Sequence, residues 1–144
     1  MKNRTQALAA SLSARFGSTL ELVDSGCDQL TYVLAKDELP NVCRALRDEP
    51  DFAFEMLIDL CGVDYLTYGD AEWETRTATD HGFSRGVQRE VIVPDADAQF
   101  DAQRFSVVYQ LLSISRNMRL RLRVFTGILN PPVVPSVVEI WNSA

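Results

Sequence analysis

Apolar residues recur at every fourth position between Thr5 and Phe16, as Leu8, Leu12 and Phe16, with alanines in the gaps and Gly17 directly after. That is the stripe of an amphipathic helix closed by a glycine at its C-terminal end. Thr19 to Val23 and Gln29 to Leu34 switch to strand chemistry, and Ser25-Gly26 between them supplies a hairpin turn. Leu30, Tyr32 and Leu34 fall on one face of the second strand. A second helix is predicted over 38–47, where Leu39, Val42, Cys43 and Leu46 form the stripe. Asp37 is placed to cap it, Pro40 lies in the first turn where a missing N–H costs little, and Pro50 sets its limit.

Phe54, Met56, Ile58 and Leu60 alternate with Glu55, Leu57 and Asp59, which predicts a strand with the first set on one mostly apolar face. Gly62 is a candidate for a bulge or bend in it. Arg104 to Ser115 and Arg119 to Thr126 read as the clearest hairpin. With Arg116-Asn117 as a two-residue turn, Leu111 faces Leu122 and Leu112 faces Arg121. Phe105, Val107, Tyr109, Leu111, Leu120, Leu122 and Val124 then share one face. Val108, Leu112 and Ile114 share the other with Arg119, Arg121 and Arg123. A turn with an odd number of residues would drive arginines into the core, so an even-numbered one is required. After three prolines, Ser136 and Glu139 match a capping box and predict a short helix through Ile140-Trp141.

The predicted order is α-β-β-α-β-β-β, with a final helical turn. Two helices on one face of a mixed, mostly antiparallel sheet make a two-layer α+β fold, and pattern alone leaves the strand order open. The chain of 144 residues has the size of one domain, assigned to 1–141, with 142–144 expected to be the truncated end of a longer natural chain. An irregular acidic excursion spans 67–103, where Glu90 to Val93 could add a short strand and where the composition offers little to bury.

Charge refines this picture. The net charge is −6, which speaks against a surface-wide nucleic-acid footprint. It is unevenly spread: Thr67 to Gln103 holds eight acids and three bases, whereas Arg104 to Thr126 holds five arginines and no acid. The longest uncharged run, Val124 to Val138, is broken by prolines and too short to span a bilayer. The N-terminus carries polar residues where a secretory signal needs an apolar run.

Candidate chemistry is sparse. Cys27, Cys43 and Cys61 are widely spaced, and with the single His81 they make neither a disulfide framework nor a metal-ligand cluster. No phosphate-cradling glycine motif and no nucleophile elbow occurs among the seven glycines. Asp59 and Asp64 flank Gly62 and could form an acid–base pair, but Asp59 is expected on a solvent side and Asp64 at a turn. Arg119, Arg121 and Arg123 are the most informative set: three guanidiniums at period two beside apolar residues. Such a face serves either as a solvated strand surface or as a protein interface. No aromatic residue interleaves with them, which disfavours RNA.

FEMLIDLCGVDYL (54–66), RFSVVYQLLSISRNMRLRLRV (104–124) and PPVVPSVVEIW (131–141) resemble, in this order, the C subunit of NADH-quinone oxidoreductase, the 30-kilodalton-type peripheral-arm component of respiratory complex I. The chain ends before that family's N-W-x-E-R-E-x-x-D-type segment, and its 68–103 stretch is longer and more acidic than expected. The resemblance implies a scaffold with no catalytic residue, cofactor or metal of its own. FMN and iron–sulfur clusters would sit in other subunits of an enzyme that carries electrons from NADH to quinone and pumps ions. It implies the other peripheral-arm subunits as partners, chiefly a subunit-D-type neighbour, and a peripheral position on the cytoplasmic side of the bacterial inner membrane. Arg119, Arg121, Arg123, Val134, Val137, Ile140 and Trp141 are the expected interface residues. The alternative is a stand-alone α+β interaction or regulatory module.

Overall fold

The computed structural model describes residues 2–26, 29–66, 68, 101–128 and 130–142. Two helices, α1 (Lys2–Phe16) and α2 (Leu39–Asp48), accompany five strands. The strands are β1 (Glu21–Val23), β2 (Thr31–Leu34), β3 (Met56–Asp64), β4 (Phe105–Ser113) and β5 (Met118–Phe125). They form one sheet in the order β1-β2-β5-β4-β3, in which only β2 and β5 run parallel. This is the predicted two-layer α+β fold. The excursion at 67–103, including His81 and the strand expected at Glu90 to Val93, lies outside the described residues apart from Tyr68 and Asp101 to Gln103, and so does Cys27.

Leu8, Leu12, Leu39, Val42, Cys43 and Leu46 from the helices are buried against Tyr32, Leu34, Tyr109, Leu111, Leu120, Leu122 and Val124 of the sheet. Both helices therefore cover the same face, and the helical and strand periodicities meet there. Burial drives the Cys43 thiol and the neighbouring Tyr109 hydroxyl each up to about 12, so both stay protonated in the core. The cap of α2 differs from expectation. Lys36–Glu38 forms a short 3-10 turn, Glu38 takes the capping position, and Asp37 does not cap the helix. The turn satisfies the entry by backbone alone, Glu38 N–H donating to Ala35 C=O at 3.1 Å.

The largest correction concerns β3. Its inward residue is Leu57, whereas Met56, Ile58 and Leu60 are exposed. The predicted alternation from Phe54 fails because the chain turns sharply before the strand begins. Phe54 N–H donates to Leu46 C=O, Ala53 takes a positive φ of 45°, and Glu55 N–H donates back to Ala53 C=O. Phe54 is thus buried on the turn, and the period restarts after it. The bulge falls between Leu57 and Asp59, not at Gly62, which pairs in register with Val107.

The β4–β5 hairpin keeps the predicted sides but not the predicted register. Leu111 pairs with Leu120 and Leu112 with Arg119, around a four-residue turn at 114–117. A shift of two residues leaves every side chain on its own face, so burial alone cannot choose between the two registers. The choice is made by Glu55. Its carboxylate accepts the backbone N–H of Ile114 at 2.8 Å and that of Ser115 at 3.4 Å, as well as the Ser115 hydroxyl. The Ser115 hydroxyl and these backbone donors pull the carboxyl from 4.5 down to about 2. Because the folded value lies below the unfolded one, the stabilisation is complete above pH 4.5 and fades as pH falls toward 2. The stability difference between wild type and Glu55→Gln, measured by urea unfolding, is expected to shrink across that window. A constant difference from pH 7 to 2 would show that the carboxylate does not hold the turn.

The C-terminal segment forms one turn instead of a short helix. Ile140 and Trp141 N–H both donate to Val137 C=O, and the Ser136 hydroxyl accepts Val138 N–H at 3.3 Å. Arg47 of α2 donates to Ile140 C=O at 2.6 Å and fastens the segment to the helix layer.

Candidate interaction face of the sheet

Residues paired in register share a face of the sheet, so the side turned away from the helices can be followed row by row. One row runs Met56, Leu112, Arg119; the next runs Asp59, Gln110, Arg121, Thr31. A third runs Cys61, Val108, Arg123, Val33, and a fourth Val63, Ser106, Phe125. The three predicted arginines thus form a column down β5, the central strand, with apolar and amide neighbours. The acids of these rows stand at the edges: Asp59 on β3, and Glu21 opposite Val33 on β1.

Apolar side chains are also exposed at the β3 edge and at the β4–β5 turn. Met56 is 42% exposed, Ile58 in the bulge 49%, and Ile114 at the adjoining turn 61%. Arg121 donates from Nη2 to Gln29 Oε1 at 3.1 Å, and Gln29 donates in turn to Gln110 Oε1 at 3.0 Å. The Arg123 guanidinium lies 5.8 Å from the Tyr65 ring centre. Tyr65 also meets Phe125 at 6.3 Å and Tyr68 at 5.4 Å, and Tyr68 projects its ring into solvent. Arg, Tyr and Phe clustered beside exposed aliphatics match the composition that dominates binding at protein interfaces.

Among the described residues, the Nε atoms of Arg121 and Arg123 are shielded from solvent and have no hydrogen-bond partner. An N–H left in that state costs about 1–3 kcal/mol. Three other arginines of the chain show what such an edge takes. Arg15 sets Nε and Nη2 on the Glu49 carboxylate at 2.7–3.0 Å. Arg47 does so on Asp48 at 2.6 and 3.1 Å, and Arg104 on Asp64 at 3.1 and 3.0 Å.

The other sequence candidates separate. Val137, Ile140 and Trp141 do not join the arginines; they are buried in the chain's own core on the helix side. Trp141 Nε1 donates to Phe54 C=O at 3.0 Å, and Val134 packs half-buried against the same cluster. The element that covers this segment is α2 together with the turn at 51–54. Asp59 and Asp64 do not form a pair: they lie on opposite faces, opposite Gln110 and Phe105. Arg104 holds the Asp64 carboxyl below its ordinary value, the reverse of what a general acid needs. Cys43 and Cys61 lie on opposite sides of the sheet, one in the core and one on the open face, so they cannot share a metal ion. No group of three or more metal-ligating side chains gathers among the described residues. Gln29 and Tyr65 carry no sequence signal of their place beside the arginines, because Gln29 arrives through the pairing of β2 with β5 across some ninety residues and Tyr65 from the end of β3, whereas Gln110 follows from the β4–β5 hairpin.

The family model for the 30 kDa subunit of respiratory-chain NADH dehydrogenase matches residues 32–144. The C subunit of NADH-quinone oxidoreductase from Coxiella burnetii (strain RSA 493) is 45% identical over 139 residues, covering 96% of this chain and 60% of that protein. The corresponding C subunits of Legionella pneumophila (strain Paris) and Hydrogenovibrio crunogenus are 42% and 40% identical, covering 98% and 100% of this chain and 60% and 64% of theirs. The chain therefore spans less than two thirds of the length of these curated relatives. The match runs through β2 to β5 and the C-terminal turn, the same elements that build the sheet and its arginine column, and the chain belongs to the family of the respiratory-chain NADH dehydrogenase 30 kDa subunit.

Proposed function

We propose that this chain is a non-redox scaffold in the peripheral arm of a proton-pumping NADH-quinone oxidoreductase. In this reading the complex passes electrons from NADH through FMN and iron–sulfur clusters in other subunits to quinone, while this chain positions its neighbours, chiefly a subunit-D-type protein. The observation that carries the reading is the open sheet face, which holds the arginine column of β5 together with exposed Met56 on edge strand β3 and exposed Ile114 at the β4–β5 turn. A core thiol pushed up to about 12 at Cys43, and its separation from Cys61, fit a chain that ligates no cluster. Among the described residues no helix is long and apolar enough to cross a membrane. The proposed position is peripheral, on the cytoplasmic side of the inner membrane, as the family resemblance implies.

Affinity purification of the full-length chain from detergent-solubilised membranes tests this. FMN, iron–sulfur and subunit-D-type polypeptides are expected to co-purify in fixed stoichiometry. A chain recovered free of them would favour a stand-alone interaction module.

A further inference from the structure

We draw no further inference here: the strongest candidate, the exposed apolar patch of Met56, Ile58 and Ile114 at the β3 edge and the β4–β5 turn, belongs to the interaction face already described, and nothing in the structure shows what covers it.

Discussion

Replacing Trp141 with alanine is expected to destabilise the domain by about 3–5 kcal/mol. The indole is 3% exposed and closes the core beside Val137 and Ile140. Its removal leaves a large void that the surrounding elements cannot fill, because Arg47 pins the segment at Ile140 C=O and the turn at Phe54 is fixed by its hydrogen bond to Leu46. A second cost arises at Phe54 C=O, which loses its buried donor. Trp141→Phe isolates that part: it keeps most of the packing and is expected to cost about 1–3 kcal/mol, the penalty of the stranded carbonyl. Urea unfolding measures both. A Trp141→Ala change within about 0.5 kcal/mol of wild type would show that the C-terminal turn is not part of the core.

Leu122→Ala should cost about 2–5 kcal/mol, while Arg119→Gln three residues earlier on the same strand should stay within about 0.5 kcal/mol of wild type. Leu122 is fully buried on the central strand, in register with Tyr32 on one side and Tyr109 on the other. Neither strand can shift to fill the gap without breaking the ladder that joins it to the rest of the sheet. Arg119 points to the opposite face and is exposed. Its guanidinium keeps water as a partner in both folded and unfolded states. Equal losses at the two positions would mean that the two faces of β5 are not distinguished by burial.

That contrast shows where local pattern suffices. Alternation along 119–124 is a property of the chain itself, and any sheet containing this strand must put Leu120, Leu122 and Val124 on one side and the arginines on the other. The same holds for Leu8 and Leu12, and for Leu39, Val42, Cys43 and Leu46, whose 3.6-residue spacing prescribes a buried stripe wherever the helices dock. Fold class and the arginine column are therefore legible in the amino-acid sequence alone. The long, specific sequence blocks through β3, the hairpin and 131–141 also carry the family.

Features that depend on a distant group are not legible. The hairpin register differs by two residues from expectation because both registers bury the same side chains, and the carboxylate of Glu55, some sixty residues away, selects between them. The expected single apolar face of β3 is broken twice, because the turn at 51–55 buries Phe54 and brings Leu57 inward, and the bulge between Leu57 and Asp59 then returns Leu60 to the helix side opposite Tyr109; neither feature leaves a mark in hydropathy. Val137, Ile140 and Trp141 are expected at an interface from sequence but lie in the chain's own core, since nothing local reveals that Arg47 and Phe54 come to meet them. The shielded edges of Arg121 and Arg123 belong to the same class. Periodicity places these arginines on one face, but only the parallel pairing of β2 with β5 brings Gln29 to Arg121, while the end of β3 brings Tyr65 to Arg123. Spacing along the chain determines which way a side chain points, because that geometry repeats within a few residues; what it meets is decided by strand order, turns and single long-range hydrogen bonds that join remote segments.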